Sequence, residues 1–306
     1  MFDISELSSG EIERLLDGHA VVDGSGLAVP VPGHDKMVVL GMLCYDSDAP
    51  NPLEDQDGLG RIHTAQRHAS RDEHHAMQEA LGLDSDWTRI GKPNKYAVLL
   101  DVYDHSGQVY SISGEGMQCR WDTARGGAVW VPDACAQEEI DRRAKVYAFG
   151  FVLHPGFLRT KQYQAILEAP DQPQHNLGSF EHWHQAFKAL EAAKKVGKFG
   201  HARKEQLERG LLRAKEDVAR GCLETYNEWL SGDVYGIVYQ AFALNDAGKL
   251  EAEGPQDSCW DFYGHDYALA ELKSACEGLA QSLAKTSTAR AACANSAEAP
   301  QSSAQD

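Results

Sequence analysis

Two short stretches carry residue types that could do chemistry together: Tyr103-Asp104-His105-Ser106-Gly107 and Cys119-Arg120-Trp121-Asp122. A loop Asp-His beside a second carboxylate suits general acid/base work, in which one group gives a proton and another takes it. The same Asp104, His105 and Asp122 could instead cradle a metal ion. Cys119 adds a thiol, so a Cys-His-Asp nucleophilic set is a third arrangement, provided the fold brings the three within hydrogen-bond reach. The plainer reading is local. Asp in a tight turn bonds its own backbone, His beside it caps or packs, and Cys is among the commonest buried residues.

A second group gathers His63, His68, His74 and His75 with Asp57 and Asp72. His68 and Asp72 are four apart and would touch on a helix. His63 and His68 are five apart and do not share a helical face. No HExxH pair with a third ligand follows, so His63, His68 and Asp72 are metal candidates set against a solvated helix. His182 and His184 are two apart and point to different faces of a helix. The chain holds no Walker loop, dinucleotide fingerprint or GxSxG elbow, and no cofactor is expected.

Charge narrows the function classes. The 306 residues include 46 acids and 29 bases, a net −17. Residues 1–86 hold 17 acids and 5 bases, and residues 221–284 hold 11 and 2; residues 188–220 reverse the balance, with 5 and 10. Such a surface repels nucleic acid, because phosphate binding rests on Lys and Arg. It suits a negative face presented to a basic, DNA-handling partner, or simply solubility. The chain shows no membrane-length apolar run, no basic-then-apolar leader and no CxxC among its seven cysteines. Reduced thiols in a cytoplasmic protein are the expectation.

The elements that must position these residues follow from pattern. Ser8 or Ser9 caps a short helix over Ile12, Leu15 and Leu16. Met37–Tyr45, Lys95–Tyr103, Gln108–Ser113 and Ala128–Val131 read as strands, and Asp104–Gly107 as the hairpin connection between two of them. Residues 64–82 read as helix. Asp133 caps a helix running through Ala144. Phe180, Trp183, His184, Phe187, Leu190 and Ala193 form a helical stripe after a linker at Pro170–Asn176. A long helix spans about Ala202–Leu230, with Leu207, Leu211, Ala214, Val218, Cys222, Tyr226 and Trp229 on its apolar face. Gly232 ends it. Val234–Phe242 and residues 257–263 form a hairpin, and Tyr267–Leu283 closes as a helix.

Four segments in order resemble a family of proteins carried by bacteriophages, plasmids and other mobile elements, whose members are mostly uncharacterised. They are Asn51–Gly60 with His63; Tyr103–Gly107 with Cys119–Asp122; Leu223–Gly236, containing Leu230-Ser-Gly-Asp-Val-Tyr-Gly236; and Asp257-Ser-Cys-Trp-Asp-Phe-Tyr-Gly264. Leu53, Gln56 and Gly58 stand where that family usually has Arg, Trp and Asn, and Arg120 stands where it has Pro. The candidate binding residues of these segments are Asp57, His63, Trp121, Trp229, Asp233, Tyr235, Trp260 and Tyr263. The fold class expected is α+β: an antiparallel sheet with helices packed on one face, plus a carboxy-terminal helix–β-hairpin–helix module. The expected partition is an α+β domain over 1–153, an inserted helical segment over 154–200, the module over 201–284 and a disordered tail over 285–306. The expected function is a non-enzymatic accessory of a mobile element. It would bind a host defence or DNA-processing protein, without direct nucleic-acid or membrane contact; homo-oligomerisation is left open. A small hydrolase using Asp104, His105 and Asp122, or a structural or assembly protein, are the alternatives.

Overall fold

A computed structural model describes residues 8–18, 26–66, 69–149, 152–155, 163–167, 175–196 and 204–297. In chain order its elements are α1 (Ser9–Leu16), β1 (Gly26–Pro30), β2 (Met37–Tyr45), α2 (Pro52–Asp55), β3 (Arg61–Thr64), α3 (Arg71–Leu81), β4 (Val98–Asp104), β5 (Gln108–Ile112), β6 (Thr123–Val131), α4 (Ala134–Phe149), β7 (Val152–Pro155), β8 (Tyr163–Leu167), β9 (His175–Phe180), α5 (Trp183–Val196), α6 (Lys204–Ser231), β10 (Val234–Leu244), β11 (Leu250–Tyr263) and α7 (His265–Ala297). The class is α+β, with every strand pair antiparallel. The contacts divide the chain into two compact units: unit 1 is 1–50 with 231–306, and unit 2 is 51–230.

Unit 1 is a sheet in the order β1-β2-β10-β11. The apolar run of β2 is continuous because both its faces are covered. Val39 and Leu43 pack with Ala268, Leu272 and Cys276 of α7, while Val38 and Leu40 pack with Ile12 and Leu15 of α1. Burial of each Val, Leu or Ile among them contributes about 1.5–3 kcal/mol. Gly41 lets α7 come close: a Cβ there would sit 2.5 Å from Cys276 Sγ and 2.8 Å from Leu272 Cδ1. Ser8 and Glu11 form a capping box that starts α1.

Unit 2 is built on a second sheet, β3-β6-β4-β5. One face, with Val98, Leu100, Val102, Ala128 and Trp130, packs against α4 (Ala136, Ile140) and α6 (Ala214, Val218, Cys222). The other face packs Val129 against Met77 and Ala80 of α3. The edge strand β5 is closed by Asn227 of α6. Its Oδ1 accepts from Tyr110 N–H and its Nδ2 donates to Tyr110 O, both at 2.9 Å, in the manner of a further strand.

Several expectations change. Helices lie on both faces of each large sheet, because α1 and α3 take the second face. The helix expected over 64–82 begins only at Arg71, where Ser70 and Glu73 form a capping box, and Arg61–Thr64 is strand β3. The segment 154–200, expected helical, holds β8 and β9 in a three-stranded sheet with β7, and α5 packs Ala186 and Leu190 against Ala165. The expected linker lies mostly outside the described residues, though His175 and Asn176 belong to β9. The helix–hairpin–helix order is present, but α6 packs into unit 2 while β10, β11 and α7 form unit 1, so the contacts do not divide the chain at 153 and 200. The tail expected to be disordered from 285 continues as α7 to Ala297, where an Ala-rich sequence favours helix; residues 298–306 lie outside the described set.

Candidate functional site

Within unit 2 the two chemical stretches meet. Asp104 pairs with Gln108, leaving His105–Gly107 as the turn, with Ser106 in the left-handed region at φ 59°. Asp104 N–H donates to Asp122 O at 2.8 Å, which draws the second stretch to the hairpin tip. Cys119 Sγ donates to Asp122 Oδ2 at 3.2 Å, and His105 Nδ1 lies 3.6 Å from the same oxygen. The Tyr103 ring stacks on His105 at 6.2 Å.

This convergence has the wrong order for a nucleophilic relay, in which imidazole stands between thiol and acid. Here the carboxylate stands between thiol and imidazole, so the imidazole is not placed to take the thiol proton. His105 is 66% exposed, so the tip is solvated and its electrostatics are screened. The Asp104 carboxylate accepts from Gln108 Nε2 at 3.5 Å. Among the described residues no group of three His, Cys, Asp or Glu side chains could hold a metal ion.

The loop that carries Asp122 is held from beneath by Asp101, which is 1% exposed. Its Oδ1 accepts from Ser113 Oγ (2.7 Å) and Gly126 N–H (2.8 Å), and its Oδ2 from Gly114 N–H and Gln118 Nε2 (both 2.9 Å). Burial pushes this carboxyl up, but the four donors outweigh burial and bring it down to about 2. Glu115 adds a two-pronged contact to Arg220 of α6 at 2.9 and 3.1 Å. At the loop tip Trp121 stands 83% exposed, with the Arg120 guanidinium 5.1 Å from its ring.

The remaining unit 2 candidates disperse. Asp57 is exposed; the neighbouring loop is organised by Asp133, whose Oδ2 accepts from Gly58 and Gly60 N–H at 2.7 and 3.1 Å. His63 is half-buried on β3, and desolvation lowers its pKa with a further push from Arg61, against the pull of Glu73. Asp72 is exposed in the first turn of α3, where a carboxylate favours the helix N-terminus. His68 lies outside the described residues. Trp229 stacks on Tyr226 at 5.7 Å within α6.

In unit 1 Asp233–Gly236 and Trp260–Gly264 lock each other. Asp233 Oδ1 accepts from the Tyr235 hydroxyl at 2.8 Å, and Asp233 O accepts from Gly264 N–H at 2.9 Å. Trp260 lies over Gly236, where a Cβ would sit 2.2 Å from its Cε3. Tyr263 is buried, and its hydroxyl donates to Pro50 O at 3.0 Å. Tyr45, Tyr235 and Phe262 share one register row across β2, β10 and β11. The Tyr45 and Tyr235 rings are 5.0 Å apart, His265 meets Tyr235 edge-on at 5.6 Å, and Tyr267 lies 5.9 Å from Phe262. Tyr45 is 76% exposed. Burial, then the Asp233 hydrogen bond, raises the Tyr235 hydroxyl pKa.

Charge is segregated between the units. Unit 1 has 20 acids and 6 bases, a net −14; unit 2 has 26 and 23, a net −3. No family model matches the chain, and no match is found among the curated proteins or the solved structures. Sequence reasoning missed Asp101, although a lone charge inside the apolar run Ala97–Val102 was a usable signal. It also missed Tyr45, Tyr267 and Asn227, whose roles depend on partners distant in the chain.

Proposed function

We propose that the protein is a non-enzymatic accessory that binds a basic, DNA-handling host protein through the acidic surface of unit 1, in the cytoplasm. The observation that carries this reading is the segregation of charge: −14 of the net −17 falls in unit 1. A field of one sign steers a partner of the other and repels nucleic acid itself. Among the described residues no helix is long and apolar enough to cross a membrane. The test is capture from host lysate on the immobilised full chain, with cross-links mapped by unit. Capture should fall steeply as salt rises from about 0.05 to 0.5 M, because the screening length shrinks several-fold, and cross-links should lie in unit 1. Salt-independent capture, or cross-links confined to unit 2, sinks the proposal.

One observation favours a second reading, a small hydrolase: Cys119, Asp122 and His105 share a contact. It would use His105 and Asp122 as acid and base, with Asp104 at the tip. Turnover of a broad panel of ester and phosphoester substrates that disappears in His105→Ala would promote it.

A further inference from the structure

We infer that β11 is a docking edge for an extended, lysine- or arginine-bearing segment of a partner protein, which joins the sheet of unit 1 as an added strand. The inference rests on the acidic-binder reading above and gives it a place and a geometry. β11 ends the sheet order, and among the described residues it pairs only with β10. Every residue from Glu251 to Asp261 is exposed, so the strand is open along its length. An open edge presents unpaired N–H and C=O groups that a further strand satisfies.

Charge chooses the occupant. Glu251, Glu253 and Asp257 pair with Ala243, Ala241 and Tyr239, and so share one sheet face. Glu251 is held by Asn245 Nδ2 at 2.7 Å, whereas Glu253, Asp257 and Asp261 have no cationic partner among the described residues. β11 itself contains no Lys or Arg. Pairing with a second copy of β11 would set acids against acids, which is destabilising across a ladder. A strand with bases at alternate positions would instead place each base opposite or diagonal to Glu253 and Asp257. Phe262, with Tyr267 beside it, ends the row on the same face with aromatic surface for the stem of a long basic side chain. Gly254 and Pro255 interrupt the ladder midway and a second bulge, with Asp261 at φ 67°, interrupts it after Cys259, so the regular stretches of the edge are Leu250–Glu253 and Asp257–Cys259.

The probe is a fluorescent alternating peptide, Lys-Val-Lys-Val-Lys-Val-Lys, titrated into the full chain and read by anisotropy. Its comparison is the same peptide N-methylated at alternate backbone amides, which keeps every charge but removes donors on one edge. The parent peptide should bind, and N-methylation should weaken it on the order of tenfold. Glu253→Gln and Asp257→Asn, both exposed and near-isosteric, should each weaken it about two- to five-fold. Equal binding of the N-methylated peptide, with salt sensitivity intact, overturns the edge and leaves the acidic-binder reading standing. Parent binding that ignores salt overturns the acidic-binder reading with it. No binding of the parent, or a dimer of the chain that the parent peptide dissociates, also overturns the inference, the latter by placing a second copy on the edge.

Discussion

Replacing Asp101 with Asn should unlock the loop that presents Trp121. The wild-type carboxylate offers two oxygens to four donors. In Asn one of those oxygens becomes an NH2 group, a donor facing two donors. The buried pair left without an acceptor costs about 1–3 kcal/mol per group. The depressed pKa of the carboxyl gives a second magnitude. The Asp101 pKa lies at about 2, against 3.8 for the free side chain. A fall of that size corresponds to roughly 2–3 kcal/mol of stability at neutral pH. Because the folded-state pKa is the lower one, this contribution is complete above the unfolded value near 4. It is lost as pH falls through that value toward 2. Denaturant unfolding should therefore show Asp101→Asn about 2–4 kcal/mol less stable than wild type at pH 7. The gap should narrow between pH 4 and pH 2, since only the wild type loses the term. Hydrogen exchange at Gly114 and Gly126, whose N–H groups bond the carboxylate, should accelerate in the variant ahead of the amides of β4. A variant as stable as wild type at pH 7, or a gap that does not change with pH, would refute the anchoring argument.

Gly236→Ala should cost about 1–3 kcal/mol by displacing Trp260, and Trp260→Ala in the same chain should recover most of that loss; strictly additive costs in the double-mutant cycle would break the proposed contact. His105→Ala with Asp122→Asn should change stability by less than about 1 kcal/mol, since His105 is exposed and Asp122 only partly buried, and should leave salt-sensitive capture intact; normal melting with all capture lost would make the tip the contact site. Trp121→Ala should leave stability within about 0.5 kcal/mol of wild type, and a drop beyond about 2 kcal/mol in chemical denaturation would show that the ring is packed rather than displayed.

Local signals were the legible ones. The Ser8 cap, the Asp133 cap, the β2 run and the β4–β5 hairpin all depend on residues within a few positions of one another. The meeting of His105, Cys119 and Asp122 was legible only as a question, because it rests on the pairing of β4 with β6, Tyr103 with Thr123, and on the backbone bond from Asp104 to Asp122. The placement of α6 was not legible. Its apolar stripe fits any sheet, and the choice of unit 2 rests on long-range partners: Gly210, where a Cβ would lie 2.6 Å from Ala144 O, and Asn227 on Tyr110. The strands of 154–200 were hidden because β8 and β9 are short and the strongest period nearby belongs to α5. Charge segregation was half visible, in the acidity of residues 1–86 and 221–284, but its assignment to one unit needed β2 and β10 to pair.

The way the two carboxy-terminal segments interlock bears on what a resemblance built on them can mean. Asp233 holds Tyr235 and Gly264, Gly236 makes room for Trp260, and Tyr263 reaches Pro50. Each named residue already has a partner inside unit 1, so Asp233–Gly236 and Trp260–Gly264 are accounted for by folding alone. Chains sharing them would share this sheet and its covering helix without sharing a target. On the proposed binder reading, recognition then comes from surfaces that folding does not consume: the exposed row of β11, the Tyr45 ring and the Trp121 loop. Of these, only β11 combines open backbone groups with unpaired acids. Its chemistry is therefore the feature expected to set the partner, and the interlocked residues are expected to set only the frame on which that edge is displayed.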